Sequence, residues 1–339
     1  MKMSLLLIIS GVVLLAIGGW NLLYRSKQVT QFISPLASNQ RGLGSLSKYS
    51  FPNLQKKQYQ NSQIKIGRIL KNGQLFTSYM FYYQSQRKTI SGLLNIPKIT
   101  QPTDGFPVII MIRGYVDDKI YYTGVGTQKV GEYFASHGFI TLAPDFLAYG
   151  ESDDTYVDIL EDRFIRPVNI LDLLASVKTL NTTSPSTSLR ADSNRIGIWG
   201  HSNGGQIAIS VLEINKKSYP TVLWAPVTKG FPESVTTYMS QLDDLGVKVK
   251  NRIDDFVKEY DPNEFSITPY FDDIKAPIQV HQGTGDEYIE TKWTDEFVQK
   301  LKSLGKSVEY YKYKADDHNL SVNWDVIVSR DLNFFKSYY

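Results

Sequence analysis

Hydrophobic and polar positions alternate in blocks along most of this 339-residue chain, and the blocks predict its secondary structure. Residues 63–97 contain three stretches with the alternation and turn residues of strands. From residue 107 onward, continuous apolar runs are separated by segments with the periodicity of helices. Strands and helices that follow one another in this way predict a mainly parallel central sheet with helices on both faces.

The apolar runs are clearest in "PVIIMIRGY" at 107–115 and "RIGIWG" at 195–200. Runs of this kind are typical of strands that are buried on both faces. Pro167 is expected to divide the helical region 157–180, as the first residue of a second helix. The stretch 228–276 is too long for a simple connection, and we interpret it as a small cap-like insertion.

A separate apolar stretch opens the chain. Between Lys2 and Arg25 there is no charged side chain, and a helix of this length reaches about 30 Å, enough to cross a bilayer. We predict a transmembrane anchor over residues 1–25, with a cleaved signal peptide as the alternative. A juxtamembrane linker over 26–62 and a catalytic domain over 63–339 follow. Basic residues flank both ends of the anchor, so its orientation stays open, with an extracytoplasmic domain favoured.

Composition narrows the classes of protein to which the chain can belong. An apolar fraction of 42% supports a sizeable core. The net charge of +3 comes without a basic stripe, which argues against nucleic-acid binding. Cysteine is absent, so disulfides and cysteine-ligated metals are excluded, whereas the compartment is not decided.

The stretch "GHSNGG" at residues 200–205 is the strongest chemical signal. It matches the pattern G-x-S-x-G, which is a weak signal by itself. Its setting strengthens it, because a predicted strand precedes it and a predicted helix follows, as a nucleophile on a strained turn requires. We therefore predict Ser202 to be a nucleophile, and the alternative is a glycine-rich structural turn.

A serine hydroxyl needs an adjacent base, and the chain has four histidines. Three of them are poorly placed: His137 ends a helix, His201 adjoins the serine, and His281 lies within a predicted strand. His318 remains, in the loop "KADDHNLS" after the final strand, where a mobile imidazole can reach Ser202. We predict His318 to be the base.

The acid that orients the base is expected on the loop after the preceding strand. Asp286 lies just beyond that strand in "PIQVHQGTGDEYI" and is our prediction. Rival carboxylates lie nearby in the chain, namely Glu287, Glu290, Asp316 and Asp317. The last two adjoin the histidine along the chain and are poorly placed to accept a bond from its far nitrogen.

The negative charge that develops on the substrate oxygen needs two hydrogen-bond donors. One is predicted to be the backbone N–H of Asn203. The other is expected from Tyr115, through its backbone N–H or its phenol, although this side chain could simply pack beneath the loop. Arg113 lies beside this position and is a candidate for binding an anionic substrate group, or for pairing with an acid such as Asp117.

With these residues in place, the chain resembles the α/β-hydrolase superfamily and, within it, the catalytic domain of the prolyl oligopeptidase family. The resemblance spans roughly residues 63–339, and it rests on "GHSNGG", "PDFLAYGESD", "APIQVHQGTGDEYI" and "DDHNL". It implies an α/β-hydrolase fold with a mainly parallel sheet. Position by position, it gives the triad roles to Ser202, Asp286 and His318 and the oxyanion roles to Asn203 and Tyr115.

The chain departs from that family in two ways. Arg113-Gly114 stands where such hydrolases usually carry His-Gly. Too few residues precede residue 63 for the β-propeller that gates many of these peptidases, which weakens the inference to peptide substrates.

The sequence as a whole predicts a membrane-anchored serine hydrolase that cleaves small peptide or acyl-ester substrates without a metal or organic cofactor. A serine peptidase is favoured over a carboxylesterase. A non-catalytic, membrane-tethered binding module is the further alternative.

Overall fold

The computed structural model describes residues 46–182, 189–238 and 243–339, and a single sheet runs through them. The strands of this part of the chain are β1 Lys65–Asn72, β2 Phe76–Ser85, β3 Lys88–Pro97, β4 Phe106–Ile112, β5 Ile140–Pro144, β6 Ala191–His201, β7 Thr221–Trp224, β8 Ile278–Gly283 and β9 Val308–Tyr313. Their order across the sheet is β1-β2-β3-β5-β4-β6-β7-β8-β9.

The sheet changes character along its width. The first three strands and β5 pair antiparallel, whereas the strands from β5 to β9 pair parallel. The predicted mainly parallel sheet is therefore confirmed. Strand β4 has β5 on one side and β6 on the other, so the connections that follow β4 and β6 diverge. In open parallel sheets, such a divergence leaves a crevice at the carboxyl ends of the strands, where ligands bind.

Helices cover the sheet. Within the described residues they are α1 Phe51–Lys56, α2 Gln128–Ser136, α3 Ile159–Ser176, α4 Asn203–Asn215, α5 Glu233–Thr236, α6 Asp243–Glu259, α7 Thr291–Ser303 and α8 Trp324–Lys336. Strands β4, β5 and β8 are buried at every position, as their continuous apolar runs predict. Side chains from α2 and α8, including Phe134 and Phe335, meet Met111 and Trp199 of the sheet in one apolar cluster.

Pro167 does not divide the helical region, contrary to the prediction. Helix α3 continues through it as one element of eighteen residues. An internal proline removes one backbone hydrogen bond and costs about 3 kcal/mol in an isolated helix. Here most of the helix is buried, including the neighbours Phe164, Ile165 and Val168, so tertiary packing outweighs the local cost.

The segment assigned to a linker is partly helical. Residues 46–62 contain a 3-10 turn and helix α1, whose Phe51 and Leu54 are buried. Tyr49 ties this segment to α3, because its hydroxyl donates to the Glu161 carboxylate at 2.9 Å. The anchor predicted for residues 1–25 lies outside the described residues. Among the helices that are described, none has the length and apolar character needed to span a membrane.

The excursion after β7 forms an insertion with helices α5 and α6. It is held to α3 by aromatic side chains: the ring of Phe164 lies 5.2 Å from Phe231, 5.6 Å from Phe256 and 4.9 Å from Phe265, centroid to centroid. At its other side, the Tyr238 hydroxyl donates to the backbone oxygen of Tyr288 at 3.3 Å. The insertion therefore reaches the loop that follows β8.

Candidate active site

Ser202 lies in a strained turn between β6 and α4. Its backbone has φ of 57° and ψ of −124°, a conformation that side chains with a Cβ rarely adopt. Two bonds hold the turn: the Ser202 N–H donates to the Trp224 oxygen at 2.9 Å, and the Val227 N–H donates to the Ser202 oxygen at 3.0 Å. The geometry is that of a nucleophile raised at the carboxyl edge of a parallel sheet.

Glycine is required at two places around this serine. A Cβ on Gly204 would lie 2.1 Å from the Ile112 oxygen, so any side chain would push α4 away from β4. A Cβ on Gly114 would lie 2.9 Å from the Ser202 Cβ and 3.4 Å from its Oγ. The loop after β4 therefore passes directly against the nucleophile.

His318 and Asp286 meet across the ends of β8 and β9. The Nδ1 atom of His318 lies 2.9 Å from Asp286 Oδ2 and 3.0 Å from Oδ1, and the carboxylate is completely buried. Asp286 also accepts the backbone N–H groups of Tyr288 and Ile289, each at 2.9 Å. Because a carboxylate only accepts, Nδ1 carries the proton and Nε2 is left to act as the base.

The environment of Asp286 favours its charged form. Burial alone would raise the pKa of this carboxyl. The hydrogen bond and the charge of His318, together with the two backbone donors, outweigh burial and hold the pKa below its usual value. A carboxylate that stays ionised can stabilise the imidazolium that forms when the base takes a proton.

The rival carboxylate Asp316 has a different task. Its two oxygens accept the backbone N–H groups of Asp317, Val322 and Asn323, at 3.0 to 3.1 Å. Asp316 therefore ties together the loop that carries His318, and its oxygens are occupied by that loop.

His201, which the sequence prediction set aside, supports the base. Its Nε2 lies 3.0 Å from the backbone oxygen of His318, and the two rings are 4.7 Å apart. A carbonyl only accepts, so His201 is the donor. Burial and the nearby His318 lower the pKa of His201 to about 4, which keeps the ring neutral at physiological pH. The pattern G-x-S-x-G leaves this position unspecified, so the motif carries no signal for it.

The predicted oxyanion residues flank the nucleophile. Asn203 is the first residue of α4, where free N–H groups and the helix dipole favour negative charge. Tyr115 follows Gly114, and 68% of it is exposed. The alternative that Tyr115 packs beneath the loop is therefore wrong. Its assignment as an oxyanion donor stays a prediction.

Arg113 is not available to substrate in the way that was expected. It is 3% exposed, and its guanidinium stacks on Tyr149 and Tyr121, 4.2 and 4.8 Å from the ring centroids. It donates to the backbone oxygens of Gly114 and Asp145, both at 2.9 Å. Two tyrosine rings that meet Arg113 only in the folded chain hold this arginine inside the protein. From there it positions the loop beside Ser202.

Asp145 also supports the loop beside Ser202, and the sequence prediction gave it no role. It is fully buried and accepts the hydroxyls of Tyr121, Ser91 and Thr123 at 2.6, 2.5 and 2.9 Å. Burial raises its pKa, against these donors and the charge of Arg113. Its place in "PDFLAYGESD" was seen as a marker of resemblance, but its partners are distant in sequence.

Comparison with known proteins agrees with this architecture. A model of the alpha/beta hydrolase fold matches residues 161–321, and a chlorophyllase model matches residues 67–221. The chain belongs to the α/β-hydrolase superfamily. A relative in Bacillus subtilis, "Uncharacterized peptidase YtmA", is 25% identical over 248 residues, which are 71% of this chain and 85% of that protein.

Solved hydrolase structures superpose on the chain. The acetyl xylan esterase from Paenibacillus sp. R4 has a TM-score of 0.61 at 16% identity, covering 91% of this chain and 98% of its own. The acylaminoacyl peptidase of Pyrococcus horikoshii has a TM-score of 0.55 at 19% identity, covering 79% of this chain and 42% of its own. At these identities the similarity shows the fold alone.

Proposed function

We propose that this α/β-hydrolase is a serine hydrolase that cleaves peptide or ester bonds through a covalent acyl-enzyme. One observation carries the proposal: the bond between His318 Nδ1 and Asp286 lies at the same sheet edge as the strained turn of Ser202. Nucleophile, base and acid then come from three separate loops, in the chain order of this fold.

The proposed reaction begins when His318 Nε2 takes the proton of Ser202 and the Oγ atom attacks the substrate carbonyl carbon. The negative charge on the carbonyl oxygen rests on the backbone N–H of Asn203 and on a donor from Tyr115. His318 then gives its proton to the leaving group. Water, activated by the same imidazole, attacks the acyl-enzyme and releases the acid.

Peptide bonds are our first candidate for the scissile bond, because the sequence relative in Bacillus subtilis bears the name of a peptidase. Ester bonds are the second. The acetyl xylan esterase aligns over 98% of its own length, whereas the acylaminoacyl peptidase aligns over 42%. Both reactions use the same acyl-enzyme chemistry, so the leaving group decides between them.

The test compares the full-length protein, purified in detergent, with its Ser202→Ala variant. Both are assayed on a panel of peptidyl anilides and on short-chain p-nitrophenyl esters. Anilide cleavage that the variant lacks supports the peptidase, and ester cleavage alone supports the esterase. Unchanged cleavage in the variant refutes Ser202 as nucleophile. Absence of both turnover and labelling by an active-site phosphonate favours the non-catalytic binding module.

The proposed chemistry uses side chains and backbone donors alone, so we expect dialysis against a chelator to leave turnover unchanged. In residues 46–182, 189–238 and 243–339, no group of three or more His, Cys, Asp or Glu side chains is arranged to hold a metal ion. Loss of activity on dialysis that a divalent metal restores would contradict this expectation.

We also propose that the apolar segment over residues 1–25 anchors the protein in a membrane, with the catalytic domain on the extracytoplasmic side. Its uncharged run between Lys2 and Arg25 supports the anchor. Membranes washed with carbonate are expected to retain the full-length protein and to release a variant that lacks residues 1–25. Protease added to intact cells is expected to degrade the domain; protection would place it inside.

A further inference from the structure

A cleft beside the nucleophile contains an arginine that forms no salt bridge with any residue in the described ranges. The cleft is narrow, with a cavity volume of about 40 Å³, and it opens to solvent. Its walls come from α1, α3, α4 and the insertion, and most are apolar. Asn203 lines it on one side and Arg163 on the other.

The cleft lies on the acyl side of the scissile bond. Asn203, the proposed oxyanion donor, holds the carbonyl oxygen, so the groups on that carbon lie beside it. The leaving group must instead receive a proton from His318. The cleft is lined by Asn203 but not by the loops of Asp286 or His318. What enters it is therefore the acyl group.

Every acidic residue in the first turn of α3 already has a cation. Asp158 accepts the guanidinium of Arg252 at 2.8 Å, Glu161 accepts Lys48 at 2.8 Å, and Asp162 accepts Arg166 at 2.7 Å. Glu161 also accepts the Tyr49 hydroxyl at 2.9 Å. Arg163, in the middle of this turn, lies within 4 Å of no carboxylate of the described residues.

Arg163 is held in place by neutral acceptors. Its Nη2 donates to Gln206 Oε1 and, at 2.9 Å, to Ser234 Oγ. Gln206 is fixed in turn, because its amide donates to the Lys229 oxygen at 2.6 Å. Within the part of the chain that the structure describes, Nε and Nη1 of Arg163 make no hydrogen bond. Burial, and then the charge of Arg166, lower the pKa of Arg163 to about 10, so it stays charged at neutral pH.

A cation without a salt bridge, in a mostly apolar cleft, favours an anion that arrives with the ligand. Nη2 is occupied by Gln206 and Ser234, which leaves Nε and Nη1 as donors, and either of them can donate a charge-assisted hydrogen bond to a carboxylate oxygen. Gln206 lies one helical turn, about 5 Å, along α4 from Asn203, so Arg163 is a short acyl chain away from the reacting carbon. The aromatic side chains Phe164, Phe231 and Phe265 line the path.

We propose that this cleft binds an acyl group that ends in a carboxylate, and that Arg163 is the residue that selects it. The inference rests on the proposed serine hydrolase, whose acyl-enzyme defines the acyl side. The substrate class is thus an ester or peptide whose acyl part carries a free carboxylate on an apolar arm.

The test uses two esters with the same leaving group and the same acyl length, the p-nitrophenyl monoester of adipic acid and p-nitrophenyl hexanoate. The acyl chain of the adipate ester ends in a carboxylate, whereas that of the hexanoate ester ends in a methyl group. We expect Arg163→Gln to lower the ratio of kcat/KM for the adipate ester over the hexanoate ester by about 10- to 100-fold, as for a charge-assisted bond. Hexanoate turnover reports whether the variant is folded.

Two further variants sharpen the result. Arg163→Lys keeps the charge but loses the guanidinium that Gln206 and Ser234 hold in place, so its ratio is expected between those of wild type and Arg163→Gln. If Arg163→Gln does not fold, the drop in Arg163→Lys decides instead. Lys178→Gln removes the same charge from an exposed position outside the cleft and is expected to leave the ratio unchanged. An unchanged ratio in Arg163→Gln with normal hexanoate turnover overturns the inference.

Calorimetry separates this inference from the proposed function. Adipate is titrated into the full-length Ser202→Ala variant and into Ser202→Ala/Arg163→Gln, neither of which needs to turn over substrate. Binding at least about tenfold weaker in the double variant supports the cleft even if neither ester is hydrolysed. Equal affinity in the two variants, or no binding to either, overturns it.

Discussion

Two histidine–aspartate pairs lie within the part of the chain that the structure describes, and they differ in what surrounds each imidazole. His318 and Asp286 are joined at 2.9 Å on loops at the carboxyl edge of the sheet, with 10% of the histidine side chain exposed. His281 lies in β8, its Nε2 atom 3.0 Å from Asp331, and both side chains are completely buried. The same two residue types therefore occur once beside the nucleophile and once in the core.

The second ring nitrogen separates the two pairs. His281 uses both nitrogens within the core, since Nδ1 lies 2.8 Å from the Tyr313 hydroxyl and Nε2 lies 2.9 Å from Gln279 Oε1. Within the described residues, Nε2 of His318 makes no hydrogen bond. A histidine–aspartate pair alone therefore does not indicate catalysis. Catalysis also requires a second ring nitrogen that is free of hydrogen bonds, because that nitrogen must accept the proton of the nucleophile.

The largest effect is expected from His318→Ala. Without a base, Ser202 keeps its proton, and kcat should fall by about 10⁴- to 10⁶-fold. The thermal midpoint should also fall, because the buried carboxylate of Asp286 loses its imidazole partner and keeps the two backbone N–H donors. Steady-state kinetics on the best substrate and a thermal melt measure both. A loss of less than about tenfold would show that His318 is not the base.

The next effect is expected from Asp286→Asn. The amide can present an N–H to Nδ1 and favour the wrong tautomer, so kcat should fall by about 10⁴-fold. Asp331→Asn, in the other pair, is the matched control and should leave kcat within a few-fold. If both variants lost activity equally, the two pairs would not have separate roles.

For His281→Ala we expect a loss of stability rather than of activity. The change leaves Asp331 buried without its histidine, and Asp331 also accepts the Trp224 indole N–H at 2.9 Å. Removing this ring leaves buried polar partners without it, which costs about 1–3 kcal/mol of the free energy of unfolding for each unsatisfied group. Urea denaturation measures this cost. A variant as stable as wild type would mean that the buried pair contributes nothing.

The smallest effects concern His201, which links the catalytic pair to the nucleophile's turn. Since His201 donates to the His318 carbonyl at 3.0 Å, His201→Ala should lower kcat by about tenfold through a less ordered base. His201→Gln offers an amide donor at a similar reach and should keep most of the activity. Equal losses in the two variants would exclude a role for the hydrogen bond.

His201 also predicts a dependence of stability on pH. Its pKa is about 4 in the folded protein and about 6.5 when unfolded, so the unfolded chain takes up a proton first. This contribution to stability is complete above pH of about 6.5 and is lost as the pH falls toward 4. Urea denaturation across this range should show a weaker pH dependence for His201→Gln than for wild type. Equal slopes would contradict the lowered pKa.

The fold could be predicted well from local patterns because its strands are continuous apolar runs. The runs containing Ile109 and Ile198 match β4 and β6, and the glycine-rich turn begins α4 at Asn203. Pro167 was misjudged because helix propensity is local, whereas the packing that keeps α3 intact comes from elements far away in the chain.

The residues of the site that could be predicted are those marked by a motif or by their position in the chain. Ser202 lies in a motif, and His318 and Asp286 follow the ends of strands, so order along the chain was enough to select them. The supporting residues Arg113, Asp145 and His201 have no such mark in the sequence. Arg113 turns inward because of Tyr149 and other aromatic residues that meet it only in the folded chain.

By itself, the sequence determined the class of fold and the three residues that are candidates for the triad, because strand periodicity and strained turns are encoded within a few neighbouring positions. Only the tertiary structure decided which charges are neutralised. Whether an arginine finds a carboxylate depends on distances between side chains from distant segments, as Arg113 and Arg163 show. The same physical reason distinguishes His318 from His281: a free ring nitrogen is a property of the surroundings, and residue type does not reveal it.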